Sequence, residues 1–184
     1  MLSRAGADSV VLIRHARPDL RRDEPPPAWR LGADGRAAAR ALRSVLPSRS
    51  YLVASDEPKA SETLAGASNG AAIAIDPDFG EVRRPPDWTD AHRALAAAYV
   101  GGATHAGWEP HDAVVRRFDA AVRRHQAAAA ADRHLLVIGT HGMAMTLWLA
   151  SRVQLDRDPV AFWAGLEFPD VVVVESGRAL TRRG

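Results

Sequence analysis

Arg14-His15-Ala16-Arg17-Pro18 follows directly on the apolar run Val10-Val11-Leu12-Ile13, and His141 follows a second such run, Leu135-Leu136-Val137-Ile138-Gly139-Thr140. Strands covered by helices on both faces read as continuous apolar runs of this kind. Their carboxyl ends are where open α/β sheets build ligand crevices. Each run therefore predicts a strand that delivers a histidine to one edge of a sheet. A neutral imidazole is a competent nucleophile toward phosphorus, and neighbouring cations such as Arg14 and Arg17 disfavour its protonated form while attracting an anionic ester. A phosphoryl group in transfer spreads its charge over its oxygens, so such a site needs cations and hydrogen-bond donors around it. Arg14 offers a bidentate fork, His141 a donor from the second strand end, and a helix starting near Gly142 its positive dipole end. Taken singly, either histidine serves equally well as a strand-end cap; the matching contexts favour a catalytic pair. A metal centre would need a third ligand at suitable spacing, and neither histidine has the usual partner three or four residues on.

The remaining pattern alternates strand and helix. Residues 9–13, Tyr51–Ala54, Ala72–Ile75, 134–139 and Val171–Val174 read as strands. Helices are expected over 34–46, from the Asp56-Glu57-Pro58 turn to about Ser68, over 90–99, 110–130 and 142–150. Ser55 or Asp56 is the expected N-cap of the second helix, with Pro58 in its first turn, where a missing amide proton costs nothing. Ala38, Ala41, Leu42 and Val45 form the expected apolar stripe of the first helix, opposite Arg36, Arg40 and Arg43. In the long helix, Val114, Phe118, Val122 and His125 recur at helical spacing as its core face. The expected fold class is an α/β protein, a three-layer α/β/α sandwich around a mostly parallel central sheet.

Composition narrows the classes of function. A length of 184 residues fits one domain spanning 1–184, with 47% hydrophobic residues and 25% charged ones. The pI of 9.6 overstates a formal charge of only +2: without cysteine, with one lysine and few tyrosines, little titrates between neutrality and about pH 10. Arginines are interspersed with aspartates, so no nucleic-acid partner is expected. The absence of cysteine excludes disulfides, thiolate nucleophiles and the common structural zinc sites. The apolar run before Arg14 is too short for a secretory signal, and no run approaches the ~20 apolar residues of a membrane span. A cytoplasmic protein without membrane partner is expected.

Taken in order, Arg14-His15 after a strand, Ser55-x-x-x-Lys59-Ala60-x-x-Thr63 opening a helix, and Thr140-His141-Gly142 before an apolar helix resemble the histidine phosphatase superfamily, the phosphoglycerate mutase-like family. Leu31-x-x-x-Gly35 and Gly107-Trp108-Glu109 fit the same pattern. The resemblance implies that His15 is phosphorylated in a covalent intermediate, that Arg14 and His141 bind the phosphoryl oxygens, and that Glu81, in Phe79-Gly80-Glu81-Val82, protonates the leaving group; Asp78 and Glu109 are the reserve candidates. Two departures stand out. The family's Arg-His-Gly is Arg-His-Ala here, and its second phosphate-binding arginine is Lys59, the chain's only lysine. Lysine binds phosphate as a point charge without a planar fork. Arg17 lies close enough in sequence to join the phosphate ligands.

Loops on a rigid sheet commonly carry specificity, which places substrate choice in 17–30 and 76–110. Arg83 and Arg84 are the candidates for a second anionic group on the substrate, and Trp108, with Trp29 and Trp88, for an apolar wall. The expected activity is metal-independent, cofactor-free hydrolysis of a small phosphorylated substrate through phosphohistidine, by a phosphoric monoester hydrolase of the histidine acid phosphatase type. A mutase that returns the phosphoryl group to an acceptor and a non-catalytic phospholigand-binding or regulatory protein are the alternatives. The short chain favours water as acceptor, and a mere binder has no need of Glu81.

Overall fold

A computed structural model describes residues 9–86 and 89–175, together with the backbone of 178–182. The strands are β1 (Val10–Arg14), β2 (Ser50–Ala54), β3 (Ala74–Ile75), β4 (Leu135–Thr140), β5 (Asp170–Glu175) and β6 (Arg178–Arg182). They form a six-stranded sheet in the order β3-β2-β4-β1-β5-β6. β3, β2, β4 and β1 run parallel, while β5 and β6 are antiparallel to their neighbours. The helices are α1 (Ala33–Ala41), α2 (Pro58–Ser68), α3 (His92–Val100), α4 (His111–Ala131), α5 (Gly142–Arg152) and α6 (Pro159–Gly165).

Because strand side chains alternate between faces, β1 divides the core in two. Val10 and Leu12 pack with α3, α4, α5 and α6 around Phe118, Met145 and Phe162. Val11 and Ile13 pack on the opposite face with Leu42 and with Leu64 and Ala67 of α2. Helices therefore cover both faces of a mostly parallel sheet, as the unbroken apolar runs required. Among the described residues, no helix is long and apolar enough to cross a membrane.

Local differences from the sequence reading have local causes. α1 ends at Ala41 and tightens into a 3-10 turn, Leu42–Ser44. Its buried stripe is Gly35, Ala39 and Leu42, with Ala41 exposed. Packing against α2 sets this stripe at Ala39, whose methyl would lie 2.9 Å from a Cβ on Gly66 of α2, while Gly35 lies under the Arg17 carbonyl. The N-cap of α2 is Glu57, which makes no side-chain cap bond. Ser55 Oγ instead accepts from the Glu57 N–H at 3.1 Å. Helix α6 escaped the sequence reading although its signal was present: Asp158 caps it by accepting from Val160 N and Ala161 N, with Pro159 in the first turn. Strand β6, polar and arginine-rich, carried no apolar run to reveal it.

Candidate active site

Parallel pairing of β1 with β4 places Arg14 opposite Thr140. His15 N donates to Thr140 O at 3.0 Å, so the ladder continues one residue past the strand. The two histidines thus emerge side by side at the carboxyl edge, with ring centroids 5.1 Å apart. β2 flanks β4 on the other side. Ser55 N donates to Gly139 O at 2.9 Å, and Ser55 Oγ lies 3.0 Å from His141 Nε2. Antiparallel β5 brings in the segment before Asp170, so Leu166 and Phe168 reach the same edge.

His15 is oriented by its own backbone. Its Nδ1 donates to Ala16 O at 2.8 Å, a bond only a protonated Nδ1 can make, which leaves the Nε2 lone pair of the neutral ring free. Burial pushes the His15 pKa well below 6.5, and His141 and then Lys59 push it the same way against the Ala16 carbonyl. The cations expected to keep this ring neutral are thus secondary to desolvation. Ala16 fits without strain. Its backbone is not in the left-handed region, its methyl packs with Leu31 and Ala39, and its N–H donates to Thr63 Oγ1 at 2.9 Å. Thr63 in turn donates to Lys59 O at 2.6 Å, which explains its place in the motif.

Arg14 is buried. Its Nη1 donates to Leu166 O at 2.7 Å, and its guanidinium lies 3.5 Å from the Phe168 ring centroid. Burial lowers its pKa to about 10, opposed by the Glu81 and Asp170 carboxylates, so it stays charged at neutral pH. Arg14 Nε and His141 Nδ1 are buried without a hydrogen-bond partner. Unsatisfied buried polar atoms are costly, and two of them at one strand edge mark a place where a polar ligand restores the missing bonds. His141 is fully buried, its pKa pushed well below 6.5 by burial and then by Lys59, with Glu81 opposing.

Glu81 acts on His141 through its charge and lines the same cleft as His15. Its carboxylate accepts from Val82 N, Met143 N and Ala144 N at 3.0, 3.2 and 2.9 Å. The amino end of α5, expected to receive phosphate, therefore already holds this carboxylate. The reserve acids lie elsewhere. Asp78 pairs with Arg124, and Glu109 pairs with Arg117 through two hydrogen bonds. Neither lines the cleft.

These groups open into a cleft of about 620 Å³ that Arg14, His15, Arg17, Lys59, Glu81 and His141 all line. Arg83 and Arg84 line it too, as does Trp29. Trp108 does not: it stacks on His92 and packs on Tyr99 and His105, with Arg84 5.7 Å above its ring. It instead packs behind two residues that do line the cleft, His92 and Arg84. Trp88 lies outside the described residues. The sequence reading missed Arg93, Phe168 and Glu57, which line the same cleft. Glu57, two residues before the unique lysine, carried a signal, whereas Arg93 and Phe168 arrive from elements with no motif. Among the described residues, no three or more histidine, aspartate or glutamate side chains are grouped to hold a metal ion.

Comparison with known proteins agrees with this frame. The family model of the histidine phosphatase superfamily (branch 1) matches residues 10–166. Mycobacterial glucosyl-3-phosphoglycerate phosphatase in complex with inorganic phosphate superposes with a TM-score of 0.72 at 21% identity, covering 95% of this chain and 95% of that one. The complex of the same phosphatase with VO3 gives 0.71 at 20%, covering 95% and 96%. A putative alpha-ribazole-5'-P phosphatase from Escherichia coli gives 0.63 at 18%, covering 95% and 94%. No curated protein sequence matches the chain. At these identities the structures share the fold, and the family model supplies the membership: the chain belongs to the histidine phosphatase superfamily, branch 1.

Proposed function

We propose that the protein is a metal-independent phosphomonoesterase working through phosphohistidine on His15. The observation that carries this reading is the pair of buried, unpartnered nitrogens, Arg14 Nε and His141 Nδ1, beside a neutral His15 whose Nε2 lone pair is free. Phosphoryl oxygens bound by Arg14, Arg17, Lys59 and His141 leave phosphorus open to in-line attack by His15 Nε2. The N–P bond forms as the ester P–O bond breaks, and the leaving alkoxide takes a proton from Glu81. Glu81 is the carboxyl group assigned this role because Glu57, its neighbour in the cleft, is paired with Lys59. To act as donor Glu81 enters the cycle protonated, with the oxygen that carries the proton released from a backbone N–H. Water, giving its proton to the Glu81 carboxylate, then attacks phosphorus; the new O–P bond forms as the N–P bond breaks, so that phosphate leaves, His15 is regenerated and Glu81 is again protonated for the next turnover.

The substrate we infer is a small phosphate ester with a second anionic group. Arg83 and Arg84, joined by Arg93, edge the cleft beyond the phosphate ligands, while Pro18, Leu20, Trp29 and Phe168 supply apolar wall. One structural neighbour is named for glucosyl-3-phosphoglycerate, an ester that carries a carboxylate beside its phosphate.

Hydrolysis of p-nitrophenyl phosphate with and without chelator tests the reading. Chelator-resistant turnover that disappears in His15→Ala, with phosphorus trapped on His15 by mass spectrometry, is the expected result. Chelator-sensitive activity, or a label on another residue, overturns it. Isomerised product in excess of free phosphate would assign a mutase, and affinity without product a binding protein.

A further inference from the structure

Lys59 is only 6% exposed, and its ammonium has two fixed acceptors: Pro26 O at 2.9 Å and the Glu57 carboxylate Oε2. An ammonium carries three N–H bonds and otherwise rotates freely about its stem. With two directions occupied, the third is fixed. Glu57, Lys59 and Pro26 all line the cleft that holds His15. The other Glu57 oxygen, Oε1, accepts from Glu81 N at 2.8 Å and lies 3.4 Å from His141 Nε2. A single carboxylate therefore touches the lysine, the second histidine and the backbone of the residue assigned as proton donor. Glu57 occupies the N-cap position of α2 without capping it, so its carboxylate is turned to the cleft instead of its own helix. Pro58 follows in the first turn, its ring restricting the backbone between the two charged residues.

We propose that Glu57 is a positioning residue of the phosphate site that acts through Lys59, fixing the direction of the one ammonium N–H left for a phosphoryl oxygen. Glu57 and Lys59 together then supply the directed donor that an arginine provides through its own planar fork. The inference rests on the cleft being a phosphate site. Glu57 also places negative charge beside the bound anion. Its removal thus has two opposite effects: weaker aim toward the transition state, and less repulsion of the ground-state phosphate.

The test is a cycle of Glu57→Gln, Lys59→Arg and the double variant, with kcat and KM read on p-nitrophenyl phosphate. Glu57→Gln in the lysine background is expected to lower kcat about tenfold, within the range for one misdirected charge-stabilising donor, with KM unchanged or lower. In the Lys59→Arg background the same substitution is expected to cost less than about threefold, because the guanidinium brings its own geometry. Glu57→Asp keeps the charge but shortens the reach, and is expected to lower kcat without lowering KM; it also serves should Glu57→Gln fail to fold. Equal kcat losses in both backgrounds, an unchanged kcat, or a raised KM with a lowered melting temperature overturns the inference. A wild type that binds phosphate without turnover moves the same cycle to calorimetric phosphate affinity, where additive effects overturn it. A wild type that neither hydrolyses the ester nor binds phosphate removes the phosphate site, and this inference with it.

Discussion

Gly142 and Arg14 are in close contact: a Cβ on residue 142 would lie 3.2 Å from Arg14 Nε and 3.2 Å from Trp163 Nε1, so those side chains would have to yield by a few tenths of an ångström. Glycine at the first residue of α5 leaves room for the buried guanidinium to pass over its backbone. Arg14 cannot withdraw easily, being tied to Leu166 O and stacked on Phe168.

Gly142→Ala is therefore expected to cost activity more than stability. Alanine favours helix by up to ~1 kcal/mol over glycine, which offsets part of the crowding, while a displaced Arg14 lowers kcat/KM by about tenfold or more. Steady-state kinetics alongside thermal melts would separate the two. Full activity would show that Arg14 is free to yield.

Gly35 poses a harsher version of the same constraint. A Cβ there would lie 2.2 Å from Arg17 O, which is backbone and has no rotamer to give. Gly35→Ala is expected to destabilise the fold by about 1–3 kcal/mol, the range for overpacking, and to weaken phosphate binding by displacing the loop that carries Arg17. Urea titration and phosphate affinity are the readouts; an unchanged unfolding midpoint would contradict the contact.

Acid should destabilise this protein before its carboxylates titrate. His15, His141 and His92 are all held below 6.5, chiefly by burial. The unfolded chain therefore binds more protons than the folded one below that value. Their stabilising contribution is complete above about pH 6.5 and is lost as pH falls toward the folded values, with a slope of up to ~1.4 kcal/mol per pH unit for each group. Asp76 and Glu109, held below 3.8 and 4.5, begin to lose theirs only at lower pH, and Asp170, raised by burial, acts in the opposite sense there. Urea midpoints between about pH 7 and about pH 5 should fall, and His15→Asn should flatten the slope. A wild-type midpoint constant over that range would refute buried neutral histidines.

Breaking the Lys59 pair should be felt in both turnover and stability. Lys59→Ala is expected to lower kcat by about one to two orders of magnitude through loss of a charge-stabilising donor. It also leaves the Glu57 carboxylate, 12% exposed, without its counter-ion, a loss of about 3–5 kcal/mol in well-buried pairs. Unchanged kinetics would return the lysine to a purely structural role.

The outer arginines should govern preference more than rate. Arg83→Ala, Arg84→Ala and Arg93→Ala are expected to reduce kcat/KM for esters with a second anion while sparing p-nitrophenyl phosphate, with a loss of about tenfold for each lost ion contact in the cleft. A panel of phosphorylated metabolites assayed against all the variants measures this. An unaltered ranking of substrates would rule out the second-anion site.

Strand and helix order, the histidine-bearing strand ends and the basic residues that line the cleft were legible in the chain because they depend on local pattern. Val10–Ile13 and Leu135–Thr140 are apolar without interruption since both faces are covered, and that pattern survives without knowledge of partners. The motif residues Ser55, Lys59 and Thr63 were visible by spacing, although their jobs were not. That Ser55 meets His141 and Thr63 supports Ala16 depends on β2 and α2 lying beside β4 and β1. Trp108 illustrates the limit. Its type and loop position fitted a pocket wall, yet whether a ring faces a cleft or its own loop is decided by which aromatic neighbours enclose it, here His92, Tyr99 and His105. Likewise, the sequence marked Glu57 only as a neighbour of Lys59; that its carboxylate also meets Glu81 N and His141 follows from packing. The sequence by itself determined the elements and the chemistry at their ends, because periodicity and residue type act over a few positions. Only the tertiary structure decided which charges share one desolvated space, because that follows from strand order and crossovers that bring together residues distant in the chain.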